Sequence, residues 1–311
     1  MTHTPTPHVL IADSGSTKTD WALLPAAPAS GSSGAPSAPA SGAPSGLLCG
    51  DTVAAPSSPF HTQGITPVHQ SPATIRHILS TELLPQLPPS TVTAVHFYGA
   101  GCTSAHAPMM ADLLCECFPA ATVEVNSDLL GAARALCGRA PGVACILGTG
   151  ANSCLYDGTD ITQNTPALGY ILGDEGSGAV LGRLFLNAVF KDPRLAEVRD
   201  DFLATHQLTM ADIIQRVYRE PMANRFLAST SLYIGQHLDN PLLRALVVGN
   251  FRQFFLRNIV PYQRPDLPVH FVGSMAHHYC SCLEEAAHAE GFTVGRVLKS
   301  PLSGLSAFHR Q

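Results

Sequence analysis

The chain has 311 residues, room for about two domains at roughly 150 residues each, and with 45% hydrophobic against 13% charged residues it has a globular composition. Its net charge of −5 is the wrong sign for a protein that gains affinity by neutralising phosphodiester backbones, so no nucleic acid partner is expected. No apolar run approaches the roughly 18 residues a membrane span needs, and the opening MTHTPTPH has neither a basic region nor a hydrophobic signal core, so no membrane partner is expected and the cytoplasm is the expected compartment.

In chain order, a first apolar strand is predicted over Val9 to Ala12, followed by the turn Asp13-Ser14-Gly15-Ser16-Thr17-Lys18-Thr19 and a second strand, Ala22 to Leu24. Small residues let backbone N–H groups approach an anion, hydroxyls add donors and Lys18 adds positive charge, so this turn suits phosphate; Asp13, at the strand end, suits hydrated Mg²⁺. An ordinary polar hairpin reads much the same. Residues 25–46 contain only Pro, Ala, Ser and Gly and have nothing to bury, which predicts a disordered insert between two adjacent strands, its far side at Leu47 to Gly50. Helices over Ser71 to Leu84 and Ala107 to Cys117 flank a strand at Thr91 to Tyr98. A further strand, Thr122 to Val125, leads through Asn126-Ser127-Asp128 into a helix over Leu129 to Leu136. Asp128 thus stands at a strand end, as a helix cap, as a general base for an alcohol, or as both.

The strand Val143 to Leu147, the turn Gly148-Thr149-Gly150-Ala151-Asn152 and the strand Ser153 to Tyr156 repeat the first design without its charge. This is no dinucleotide fingerprint, because the third glycine is missing, and no Gly-Lys-Ser/Thr of a Walker A loop occurs anywhere. Gly173-Asp174-Glu175-Gly176-Ser177-Gly178 sets two acids among glycines before the helix Ala179 to Phe190, as a ligand loop or a capped helix start. Helices over Thr209 to Tyr218, Asn224 to Leu238 and Pro241 to Asn258 follow. The strand Val269 to Val272 then runs through Gly273-Ser274 into a helix over Ala276 to Glu290. The nine cysteines are odd in number, lack any CxxC and read as reduced and buried; His277-His278 near Cys280 and Cys282 lack zinc-site spacing.

The order of these pieces is more specific than any one of them. ADSGSTKTDW, YGAGC, SDLLGAARAL, ILGTGANS, GDEGSG, NRFLAS, FVGSMAHH and SPLSGL together resemble the acetate kinase/sugar kinase/Hsp70/actin superfamily, and within it the BadF/BadG/BcrA/BcrD-type group that includes N-acetylglucosamine kinases. The resemblance runs from Val9 to about His309 and implies an α/β fold of two ribonuclease-H-like, actin-like ATPase domains around a nucleotide cleft. The first would be 1–125, carrying the insert 25–46 and recovering the C-terminal segment 304–311; the second would be 126–303. It implies ATP and Mg²⁺ as cofactors, with Asp13 serving the metal, Ser14, Gly15, Ser16, Thr17 and Lys18 around the phosphates, Thr149 and Gly150 as a second phosphate clamp, and Gly273-Ser274 at the adenosine. Asp128 matches the catalytic base. Gln63, Gly64 and Thr66 match a sugar loop, with Thr66 where relatives commonly carry Asn; Asn152, Tyr170 and Asp174 complete the sugar set, with Tyr170 where relatives often have Trp.

The function implied is an ATP-dependent kinase acting on an amino sugar: N-acetylglucosamine or a related N-acetylhexosamine, with N-acetylmuramic acid and glucosamine as further options and a homodimer left open. Two rivals stand beside it. A dehydratase-activating ATPase would need thiolates for an iron–sulfur cluster, for which Cys102 is the one tempting candidate. A nucleotide-dependent regulatory protein would be expected to lack the base.

Overall fold

The structure is a computed structural model that describes residues 7–26, 60–88 and 91–310. The insert expected over 25–46, from residue 27 onward, and the strand expected at 47–50 lie outside the described residues.

The chain divides into two compact units, residues 1–138 with 301–311, and residues 139–300. Unit one begins with β1 (Pro7–Ser14), β2 (Lys18–Pro25), β3 (Phe60–Gln63), α1 (Pro72–Ile78), β4 (Thr91–Gly99), α2 (Ala107–Cys117), β5 (Thr122–Ser127) and α3 (Asp128–Cys137). Its sheet order is β3-β2-β1-β4-β5: the hairpin side is antiparallel, while β1, β4 and β5 run parallel. Both faces of β1 and β2 are covered, and period-two alternation sorts their side chains. Leu10, Ala12, Trp21 and Leu23 join one core with residues of α1 and α2, and Ile11, Ala22 and Leu24 join another with Tyr98 and Ala135.

Unit two contains β6 (Gly142–Leu147), β7 (Ala151–Tyr156), β8 (Ile161–Thr165), α4 (Gly169–Leu172), α5 (Gly178–Lys191), α6 (Ala196–His206), α7 (Met210–Tyr218), α8 (Ala223–Gln236), α9 (Pro241–Phe254), β9 (Val269–Val272), α10 (Ser274–His278), α11 (Cys280–Ala289) and β10 (Val294–Leu298). Its order, β8-β7-β6-β9-β10, has the same two antiparallel and two parallel pairings. The faint internal repetition in sequence is thus a full repetition of topology. The last helix, α12 (Leu302–Phe308), returns to unit one and packs on α3 so closely that a Cβ on Gly304 would lie 2.4 Å from the Ala135 carbonyl oxygen.

The unit boundary therefore falls after Gly138, where an edge after residue 125 was expected. The reason is packing: α3 buries Leu129, Ala132, Ala133 and Ala135, and Ala135 shares a core with β1, β2 and α12. The helix expected over 276–290 is two helices, α10 and α11, meeting at Tyr279. Cys115 is exposed, against the expectation of buried thiols, and no disulfide joins the eight described cysteines. Among the described residues no helix is long and apolar enough to cross a membrane.

Candidate functional site

In unit one, the expected phosphate turn closes the β1–β2 hairpin, with Gly15 N–H donating to the Lys18 carbonyl at 3.0 Å. Asp13 pairs in register with Asp20 across the hairpin and with Tyr98 on β4; one step on, Ser14 is level with Gly99, and Gly99 with Ser127 on β5. Asp13 and Asp128 thus emerge at the carboxyl ends of the parallel strands β1 and β5, which flank β4, where open α/β sheets take their ligands. Burial pushes the Asp13 carboxyl up to about 7, with Asp20 and Asp128 adding to the rise and Lys18 opposing it.

Asp128 is the first residue of α3. The cap belongs to Ser127, whose Oγ accepts from Leu130 N–H at 3.2 Å. Asp128 Oδ1 accepts from Leu129 N–H at 2.9 Å, and burial raises its pKa with only backbone hydrogen bonds opposing. A carboxylate so placed, with no cation holding its proton affinity down, is a competent proton acceptor.

The remaining members of the first turn divide by task. Gly15, Ser16 and Thr17 are exposed at the hairpin tip. Ser14 is fully buried: its hydroxyl donates to the Ile65 carbonyl at 2.9 Å, accepts from Ile65 N–H at 3.1 Å and lies 2.6 Å from Thr19 Oγ1. Its hydroxyl braces the loop after β3. Lys18 Nζ is 2.8 Å from Asp20 Oδ2, and Asp20 Oδ1 is 2.7 Å from His61 Nδ1, so this cation already has a buried carboxylate partner.

The expected sugar loop lies against this turn. Gly64 N–H donates to the Thr17 carbonyl at 3.1 Å, and a Cβ on Gly64 would lie 2.5 Å from the Gly15 carbonyl oxygen, so only glycine allows that approach. Thr66 is buried. Gln63 is bound to Glu82 through both its backbone N–H and its side-chain amide, each at 2.7 Å. Gln70, which sequence reasoning missed, clamps the loop by accepting from Thr66 N–H and donating to the Gly64 carbonyl, both at 2.8 Å.

In unit two the second turn and the acidic loop converge. The carbonyls of Gly148 and Thr149 accept from Gly178 and Ala179 at the start of α5, at 2.8 and 3.1 Å. The Asp174 carboxylate lies over the turn, 3.1 Å from where a Cβ on Gly150 would stand, and accepts from Ala151 N–H; burial raises its pKa. Ser177 caps α5. Gly176, at φ +82, packs against Phe254, where a Cβ would come within 2.9 Å. Asn250, buried in α9, holds the loop from beneath, accepting from Gly176 N–H at 3.0 Å and donating to the Ser177 carbonyl at 3.2 Å. Its only trace in sequence is a polar residue amid the apolar run VVGNF. Asn152 Oδ1 accepts from Ser153 N–H and from Asn164 Nδ2, at 2.9 and 3.0 Å. Tyr170 lies on α4, four residues before Asp174, packed against the core.

Gly273 follows β9 beside the end of β6, at φ +123, with the Leu147 carbonyl oxygen 2.3 Å from its absent Cβ. Ser274, the next residue, opens onto a cavity of about 300 Å³ between α8 and α10, edged by Ser231, Gln236, Met275 and His278. Cys102 is buried, and burial, with Asp128 second, pushes its thiol up to about 12, the opposite of what a thiolate cluster ligand needs.

Compared with known proteins, the chain matches no family model and no curated protein. Among solved structures it is 45% identical to a protein from Porphyromonas gingivalis provisionally described as an N-acetylglucosamine kinase, with 97% of this chain and 98% of that one covered and a TM-score of 0.83. A Chromobacterium violaceum protein with the same provisional description is 17% identical over 97% of this chain and 98% of its own, TM-score 0.66. The ethanolamine utilization protein EutJ from Carboxydothermus hydrogenoformans is 14% identical over 98% and 91%, TM-score 0.51. The last two share the fold alone. Nearly half identical to the Porphyromonas protein from end to end, the chain belongs to that family of sugar kinases, within the superfamily of two-domain actin-like ATPases.

Proposed function

We propose that the chain transfers the γ-phosphoryl group of ATP to a hydroxyl of an amino sugar, N-acetylglucosamine or a related N-acetylhexosamine. The observation that carries this reading is Asp128: a carboxylate raised in pKa by burial, at a strand end beside Asp13, on a helix whose cap is supplied by another residue. The finer BadF/BadG/BcrA/BcrD-type membership is supported by the eight motifs that run through the chain in family order.

In this reading Asp128 accepts the proton of the attacking hydroxyl, the hydroxyl oxygen bonds to the γ-phosphorus, and the bond to the β-phosphate oxygen breaks to leave ADP. The chain's contribution is positioning and charge, as in other phosphoryl transfers. Gly15 allows close approach, and backbone N–H groups at Ser16 and Thr17 and at Thr149 and Gly150 meet phosphate oxygens. Asp174 and Asn152 orient the sugar, helped by the loop of Gly64 and Thr66. The cavity beside Gly273-Ser274 takes the adenine, with Gln236 and His278 at its polar edge.

The donor set fits Mg²⁺. Asp13 carries a carboxyl whose pKa is raised chiefly by burial, with the neighbouring carboxylates Asp20 and Asp128 adding to the rise, and a divalent cation would favour its charged form. Among the described residues no three His, Cys, Asp or Glu side chains form a metal-holding group, which suits an ion bound by one carboxylate, water and substrate phosphates. When bound, it would neutralise charge on the phosphates.

The test is sugar-dependent ADP release across glucosamine, N-acetylglucosamine, N-acetylmannosamine, N-acetylmuramic acid and glucose, for the wild type and Asp128→Asn. Because Ser127 keeps the cap, the variant should stay folded and bind both substrates, with kcat lower by about 10² to 10⁴. Near-normal turnover would remove Asp128 as the base, and no turnover with any sugar in the wild type would remove the kinase reading.

A further inference from the structure

A second cavity, of about 620 Å³, lies wholly within unit two, between α5 and α7, with α4 at one end and Leu227 of α8 among its apolar lining. It takes no part in the proposed reaction. Its α5 wall carries Arg183, Asn187 and Lys191, spaced i, i+4 and i+8 and all exposed, so they form one rail of hydrogen-bond donors about 12 Å long at 1.5 Å per residue. Its α7 wall is apolar: Met210, Ile214 and Tyr218, again four apart, are 61%, 50% and 73% exposed. No lining residue is acidic. The carboxylates nearest in sequence are engaged elsewhere, Asp192 with Arg194 at 2.6 Å and Asp212 with Thr209 at 2.8 Å.

An apolar wall facing a cationic rail selects an occupant that is apolar along its length and negatively charged. The volume falls in the small-ligand range of roughly 300–1,000 Å³, while a protein partner would need about 800 Å² on each side, much more than a 12 Å groove supplies. A second copy in twofold contact about an axis across this groove would bring Arg183 and Lys191 of both copies together, like charge against like. We propose that the groove is a binding site for an amphiphilic anion, an aliphatic chain ending in a carboxylate or phosphate, with the chain against α7 and the head group on Arg183, Asn187 and Lys191.

Occupancy would be felt at the acidic loop. Arg183 Nη1 donates to the Ile171 carbonyl at 3.4 Å, which ties the rail to α4, and α4 leads directly through Gly173 to Asp174. A ligand against Tyr170 and Ile171 therefore holds α4 in place and shifts the KM for sugar; this consequence alone rests on Asp174 being a sugar contact.

Isothermal titration of the full chain with decanoate, decyl phosphate and the uncharged decanol tests the site without reference to catalysis. One or both anions should bind one to one, the better of them identifying the head group, and decanol should bind at least about tenfold more weakly. Ile214→Asp, which sets a carboxylate on the apolar wall at an exposed position, and the double change Arg183→Gln with Lys191→Gln should each weaken anion binding by at least about tenfold. Absence of binding by both anions up to about 1 mM, equal binding of decanol, or unchanged affinity in both variants would overturn the proposal. So would a dimer seen by sedimentation that Ile214→Asp dissociates while neither anion binds. Anion binding without sugar-dependent ADP release would leave this site standing and remove only the kinase reading.

Discussion

Replacing Ser14 by alanine separates two tasks that a hydroxyl in this turn could have. The Ser14 hydroxyl uses its full capacity: it donates to the Ile65 carbonyl and accepts from Ile65 N–H and from Thr19. In Ser14→Ala, Ile65 N–H keeps Thr19 Oγ1 at 3.2 Å, and the Thr19 hydroxyl turns its proton to the Gln63 carbonyl, 3.2 Å away. The Ile65 carbonyl is left without the hydroxyl that served it. One buried acceptor orphaned costs about 1–3 kcal/mol, and the small change in volume adds little, so a loss of about 2 kcal/mol is expected. The lone tryptophan, Trp21, is fully buried on β2 and donates to Thr62 Oγ1 at 3.1 Å, so its fluorescence in a urea titration follows unit one. Because the brace holds residues 64–66, KM for sugar should rise while KM for ATP stays within about twofold, roughly 0.4 kcal/mol. Stability within about 0.5 kcal/mol of wild type together with a raised KM for ATP would return the hydroxyl to the phosphates and refute this reasoning.

Asn250→Ala should lower the stability of unit two by about 2 kcal/mol by abandoning Gly176 N–H and the Ser177 carbonyl, and should raise KM for sugar; an unchanged thermal midpoint would show that the loop does not depend on α9. Gly182→Ala should cost about 2 to 3 kcal/mol, because its Cβ would lie 2.0 Å from the Leu227 carbonyl oxygen and two helix backbones must separate; calorimetry with no loss in Tm would contradict that contact. His270 Nδ1 accepts from Arg296 N–H at 2.8 Å, and burial, with Arg296 second, lowers its pKa from 6.5 to about 4. The unfolded chain therefore takes up a proton below about 6.5 that the folded chain refuses until about 4, so this stabilisation is complete above the window and falls by up to about 3 kcal/mol across it. Denaturation of wild type and His270→Gln at several pH values should give curves that converge toward acid; parallel curves would refute the assignment.

The two hairpin turns were legible because their cause is local. An apolar strand, a run of Gly, Ser and Thr and a second short strand specify a tight turn wherever the chain goes, and both β1–β2 and β6–β7 have that form. Asp128 was legible for the same reason: Asn-Ser-Asp before an apolar helical stretch marks a helix start, although only the structure assigned the cap to Ser127. The strands β3, β8 and β10 were not visible. Phe60–Gln63 and Ile161–Thr165 are short and largely polar, and Val294–Leu298 is interrupted by Gly295 and Arg296, so they become strands because a neighbouring edge offers them hydrogen bonds.

Neighbours along the chain were enough to fix the local chemistry: two turns able to approach phosphate, an aspartate opening a helix and an acidic loop bracketed by glycines. Tertiary structure decided which of those groups remain available to a ligand. Ser14 is withdrawn by Ile65, 51 residues away, Lys18 shares its partner Asp20 with His61, 41 residues beyond it, and the acidic loop is held by Asn250, 74 residues beyond Gly176. A hydroxyl or an amide has the same composition whether it meets water, a substrate or a buried carbonyl. Only the packing of distant segments, driven by burial of their apolar faces, determines which of these it meets.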